Sequence, residues 1–146
     1  MKVFFGIKRF WQIPRREKQL FFEAVYFLLL YKWQKRQKAF KELVLLLGKL
    51  NAEAVGGEAQ EEAFYGHLRR ALSRAMKALP LEMKCYEQAL AAKRMSKRRQ
   101  QPLTVYFGVK KEGVEELKAH AWTEWKNRFV TGKKGHKQYE IVAFYN

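Results

Sequence analysis

The chain holds one cysteine, Cys85, and thirty-five positions later (120 − 85) a histidine in the run Ala119-His120-Ala121-Trp122. A lone cysteine can neither close an internal disulfide nor build a multi-cysteine metal site. Packing or nucleophilic chemistry remains. The nucleophile is a thiolate, and a free thiol, with a pKa of about 8.5, is mostly protonated near neutrality. A helix start supplies partial positive charge and unpaired N–H groups, and an imidazole opposite can take the proton. Cys85 heads a segment that reads as a helix, and His120 stands in an alternating segment that reads as a strand. That placement suits a thiolate–imidazolium pair. The competing expectation is a buried cysteine that only packs.

Other residues add little chemistry. His67 falls on the flank of an apolar helix face and is expected to be structural. His136 lies in the loop Gly132-Lys133-Lys134-Gly135-His136, which is expected to move freely. The three histidines lack metal-ligand spacing, and neither metal nor cofactor is expected. Every acid is a glutamate, so no aspartate can serve as ligand, base or third catalytic residue.

The elements that must hold Cys85 and His120 follow from periodicity. Pro14 opens a helical pattern that runs to about Tyr31 or Trp33, and Phe40, Leu43, Val44 and Leu47 suit one further helix face. Asn51 to Gly57 reads as a turn or linker, with Gly56-Gly57 its clearest breaker. Across residues 58–79, Phe64, Leu68, Ala71, Leu72, Ala75 and Leu79 form an apolar stripe, ended by Pro80. Arg70, Arg74 and Lys77 share another face, expected to be solvated. A second helix covers about 84–97, with Cys85, Ala89 and Ala92 on one side and Lys97-Arg98-Arg99 at its end. Strands follow at 103–109, 118–125, 128–131 and 138–145, with Lys126-Asn127 as a hairpin turn. Helices first and an antiparallel sheet last predict an α+β fold. The boundary is drawn between a basic helical region, 1–57, and a domain over 58–146.

The run Leu68-Arg69-Arg70-Ala71, then Leu79-Pro80, then Cys85-Tyr86-Glu87-Gln88-Ala89-Leu90 resembles the cysteine helix of the transglutaminase-like leader peptidases of lasso peptide biosynthesis. Phe107-Gly108-Val109-Lys110 and Ala119-His120-Ala121-Trp122-Thr123-Glu124 are similar to the glycine-bearing strand and the His-Ala-Trp strand of that family. The likeness covers roughly 60–146. It implies a papain-like, transglutaminase-like core in which Cys85 attacks the scissile carbonyl and His120 shuttles the proton. It also implies a precursor peptide as substrate, a small leader-recognition protein and an asparagine-synthetase-like cyclase as partners, and a bacterial cytoplasmic location. The family completes a triad with an aspartate about a dozen residues after the histidine. Here that neighbourhood is Val130-Thr131-Gly132-Lys133. Orientation of His120 by a main-chain carbonyl or the Thr131 hydroxyl is favoured, with Glu140 or Glu124 as substitutes and an impaired enzyme as the third possibility.

Charge widens the field. Thirty basic and fourteen acidic side chains give +16, of which residues 1–50 carry +9 (twelve basic, three acidic). Such a surface attracts phosphate, anionic lipid or acidic peptide without choosing among them. No nucleic-acid motif accompanies it, so a nucleic-acid module is an alternative resting on charge alone, with no specific nucleic acid expected. Leu20 to Tyr31 is the most apolar stretch. Glu23 interrupts it, and it is shorter than the roughly 20 residues a bilayer span needs. It is expected to be a buried or interfacial helix, which leaves a peripheral membrane or scaffold role as a further alternative. Met1-Lys2-Val3-Phe4-Phe5 does not read as a cleavable signal, because Lys8 and Arg9 interrupt it. Phe21, Phe22, Phe27 and Trp33, beside Lys32, Lys35 and Arg36, are a candidate docking surface, and core packing is the alternative.

Overall fold

A computed structural model of the chain describes residues 10–52 and 62–146. The Gly56-Gly57 breaker and the first nine residues lie outside them. Helix α1 (Arg15–Gln34) follows Pro14, whose fixed φ of −52° leads into the first turn. A short α2 (Phe40–Val44) runs into a 3-10 turn, Leu45–Leu47, that Gly48 ends. Helices α3 (Glu62–Ala78) and α4 (Cys85–Lys97) precede four strands: β1 (Thr104–Glu112), β2 (Glu116–Trp125), β3 (Arg128–Thr131) and β4 (Glu140–Tyr145). A 3-10 turn, His136–Gln138, replaces the start predicted for the last strand.

The sheet is antiparallel throughout, in the order β3-β2-β1-β4. Lys126 and Asn127 both take positive φ, 44° and 61°, the geometry that lets a two-residue hairpin match strand twist. Alternation turns Ala121 and Trp125 toward the helices, where the Trp125 ring stacks on Tyr65 of α3 at 4.2 Å. The same alternation sends His120, Trp122 and Glu124 to the other face. There Trp122 stacks on Tyr106 of β1 and is 2% exposed.

One core joins the layers. Leu20, Ala24, Phe27, Leu28 and Tyr31 of α1 pack with Phe64, Leu68, Ala71, Leu72 and Ala75 of α3. Ala89, Ala91 and Ala92 of α4 join them, together with Val105, Ala121 and Val130 of the sheet. The small side chains of α4 let the helix lie close on β2. Residues on both sides of position 58 therefore share the core. Phe27, proposed from sequence for a docking surface, is buried in it. The apolar stripe of α1 that holds Phe27 faces inward.

Two arginines and a histidine fasten α1 to α3. Glu17 is buried, and its carboxylate accepts from Arg74 Nη1 (2.6 Å), Arg70 Nη2 (3.0 Å) and His67 Nδ1 (2.7 Å). The Arg74 bond, aided by Arg70 and His67 against the opposing effect of burial, holds the Glu17 pKa down at about 2. Arg70 and Arg74, expected to form a solvated stripe, keep much of their exposure and also turn onto Glu17. Near the middle of α1, Glu23 is gripped by Arg99 through two bonds (3.0 and 2.7 Å), with Arg98 at 3.6 Å. Lys93 of α4 is buried and donates to Leu103 O at 2.5 Å. Burial, then the charge of Lys97, pushes its pKa down to about 8.

Candidate active site

Cys85 is the first residue of α4 and is half-buried against the edge of the core. Lys84 before it is extended (φ −69°, ψ 157°), and its N–H donates to the Glu87 carboxylate at 2.7 Å. That bond satisfies the entry to the helix with a side chain three residues on. Glu87 is 1% exposed and also faces Lys32 Nζ at 3.7 Å, so α1 supplies a counter-charge to this buried acid. The main-chain N–H of Cys85 belongs to the first turn, whose donors have no intrahelical partner.

His120 stands on β2 opposite Gly108 of β1. A Cβ on Gly108 would lie 2.8 Å from Tyr139 Cβ and 3.0 Å from Trp122 Cζ3, so glycine allows these rings to close beside the histidine. The imidazole lies between Trp122 (centroids 5.9 Å apart) and Tyr139 (5.1 Å). Its Nε2 lies 2.7 Å from the main-chain oxygen of Gly132. A carbonyl only accepts, so Nε2 is the donor, and the neutral tautomer that makes this bond has its lone pair on Nδ1. This is the protonation pattern a general base needs when its other nitrogen faces a nucleophile.

Gly132 is twelve residues after His120 (132 − 120), within the neighbourhood where an aspartate was sought. Its carbonyl makes the contact, and the other candidates are engaged elsewhere. Thr131 bonds Thr123 through their hydroxyls (2.9 Å), and Glu124 accepts from Trp122 Nε1 (2.9 Å). Glu140 is exposed on β4. Gly132 takes φ +73°, and a Cβ there would fall 2.5 Å from Ala121 O. Sequence reading marked the segment but could not select the residue, because a main-chain carbonyl has no residue type to betray it.

The two predicted residues sit on the two predicted elements, but no hydrogen bond joins the Cys85 thiol to the His120 ring. A cleft lies between α3, α4 and β3, and neither Cys85 nor His120 is among the residues that line it. Arg69 and Met76 of α3, Gln88 of α4, Phe129 of β3, Gly132 and Lys133 line it. Gln88 is one turn beyond Cys85, and Gly132 is the partner of His120. None of the lining residues is acidic, while Arg69 and Lys133 are cationic.

The remaining histidines are structural. His67 binds Glu17. His136 is held rather than loose: its Nδ1 lies 2.7 Å from Lys133 O, and its ring packs on Phe129 (4.5 Å) and Trp122 (5.8 Å). Among the described residues, no cluster of three metal-ligating side chains occurs.

The family model of the Transglutaminase-like superfamily matches residues 27–143. No curated protein and no solved structure is significantly similar. The match begins within α1, takes in Cys85 and His120 and ends on β4. On that span, with its helical layer followed by an antiparallel sheet, the chain belongs to the Transglutaminase-like superfamily.

Proposed function

We propose that this protein is a cysteine peptidase that removes the leader from a ribosomally made lasso precursor, with Cys85 as nucleophile and His120 as base. Superfamily membership supports the reaction class, since its members are typically cysteine peptidases or transferase-like. The observation that carries the site reading is the bond from His120 Nε2 to Gly132 O, which leaves Nδ1 as the basic nitrogen. The substrate and the partners rest on the resemblance of the cysteine helix and the His-Ala-Trp strand.

In this mechanism His120 Nδ1 takes the thiol proton as Cys85 Sγ bonds to the scissile carbonyl carbon. The carbonyl electrons move to oxygen, which the first-turn N–H of Cys85 is assigned to stabilise. Collapse breaks the C–N bond, and His120 returns the proton to the departing amine. The leader remains as a thioester. Water, deprotonated by His120, then attacks the thioester and frees the leader carboxylate and the thiol. Thiol and ring must close up when substrate binds, as catalytic hydrogen bonds commonly tighten only in the bound complex. No cofactor enters these steps. The freed core would pass to the asparagine-synthetase-like cyclase, and a small recognition protein would present the leader, all in the bacterial cytoplasm.

The test is mass spectrometry of a candidate precursor incubated with the protein and its recognition partner. Cys85→Ala and His120→Ala should each abolish leader release and leave leader binding intact. Processing by Cys85→Ala at the parent rate would remove Cys85 as nucleophile.

A further inference from the structure

Helix α1 is apolar on two sides, and only one of them is used by the core. Phe22, Tyr26, Leu29 and Trp33 are 61%, 60%, 38% and 56% exposed. Their spacings of four, three and four put them in one row on the side away from the core. At 1.5 Å per residue the row is about 16 Å long. Trp11, 74% exposed, sits beyond its N-terminal end, with Lys18 Nζ bonded to Trp11 O at 2.8 Å. A soluble surface rarely leaves four large apolar side chains in one line without use.

The charges around the row are of one sign. Arg15 is exposed before it, and Lys35, Arg36 and Lys38 are exposed after it. The only two acids of α1, Glu17 and Glu23, are both turned inward, onto Arg70 and Arg74 and onto Arg98 and Arg99. The outward side of α1 therefore combines aromatic rings with cations and shows no carboxylate. No helix among the described residues is long and apolar enough to cross a membrane.

We propose that this row lies flat on an anionic lipid surface, with the rings at the level of the headgroups and the flanking cations on lipid phosphates. Aromatic rings with a polar edge suit that boundary, and cations at both ends add attraction to negative headgroups. A single row of exposed rings flanked only by cations matches the apolar-anionic boundary of such a surface. The binding uses neither Cys85 nor His120 and stands apart from the peptidase reading.

The experiment is flotation of the full chain with vesicles of phosphatidylcholine alone and of phosphatidylcholine mixed with phosphatidylglycerol. The parent should float with the mixed vesicles only, and brominated lipid should quench its tryptophan emission. Phe22→Ser combined with Trp33→Ser should lower partition about tenfold or more at unchanged net charge, because binding scales with buried apolar area. Far-UV circular dichroism verifies that the variant is folded, and Cys85→Ala should float like the parent. Equal flotation of the parent and the double variant would overturn the proposal in favour of charge alone. Absence of parent flotation would also overturn it. So would a parent dimer in sedimentation that the double variant loses, since the row would then pair with a second copy.

Discussion

Substituting Gly132→Ala tests the link between local backbone and the histidine. Gly132 has φ +73°, where an L residue carries a penalty of about 1–2 kcal/mol. The new methyl would lie 2.5 Å from Ala121 O, 2.6 Å from Trp122 Cβ and 2.8 Å from Trp122 Cα. These are atoms of β2, which is hydrogen-bonded to β1 on its other side, so no flexible side-chain tip can yield. Overpacking of this kind costs about 1–3 kcal/mol. If the segment backs away to relieve the overlap, His120 Nε2 loses its acceptor, at about 1 kcal/mol. The terms share one movement and do not simply add, so about 2–4 kcal/mol is expected. In a chain of this size that lowers the thermal midpoint by roughly 5–15 °C. Circular dichroism during heating and urea titration measures the loss. Nitrogen-15 NMR of the imidazole should show Nε2–H in the parent and a mixture of tautomers in the variant. A parent-like midpoint with an unchanged tautomer would refute both the steric argument and the role given to the Gly132 carbonyl.

Two further predictions concern buried charge. Glu17 has its pKa lowered from 4.5 to about 2, so its stabilisation is complete above the unfolded value and is lost as pH falls toward 2. The displacement is worth at most about 3.4 kcal/mol at 1.36 kcal/mol per pH unit. The Arg70 and Arg74 side chains are 49% and 37% exposed, and solvent screening reduces this to about 1–2 kcal/mol. Glu17→Gln should be less stable by that amount in urea at pH 7 and approach the parent near pH 2; a gap that does not narrow would contradict this. Lys93 behaves oppositely. Its folded pKa of about 8 lies below 10.5, so the unfolded chain binds the extra proton between these values and stability rises with pH across them. The rise, about 1–3 kcal/mol, should be visible in the parent and missing from Lys93→Met; an identical slope in both would assign it to other groups.

Much of the architecture was legible because period and punctuation agree. The apolar spacing of α3, Pro80 behind it, and the alternation of β1 and β2 each reflect burial of one face. Lys126-Asn127 was readable as a turn because strands on both sides alternate. Less legible were features made by distant residues. Glu17 looks like an ordinary first-turn acid, and only the fold brings Arg70, Arg74 and His67 to it. Arg70 and Arg74 look solvated for the same reason. From Leu20 to Trp33 of α1 twelve of fourteen positions are apolar, so periodicity could not separate buried Phe27 from exposed Phe22 and Trp33. At the candidate site, Cys85 and His120 stand out in the sequence by residue type, whereas the partner of His120 is a main-chain atom that any residue would supply.

The short bridge of Leu50 with Tyr145 has a consequence for how the molecule assembles. Lys49 and Asn146 exchange main-chain bonds of 3.1 and 3.3 Å beside it, closing a loop of 95 positions (145 − 50). Loop-closure entropy grows only logarithmically with length, so this join costs little at equilibrium. Its burden is kinetic: two segments far apart in the chain must find each other after helices and hairpins have formed locally. The join is thus a late event in folding and a natural first place for the sheet to loosen.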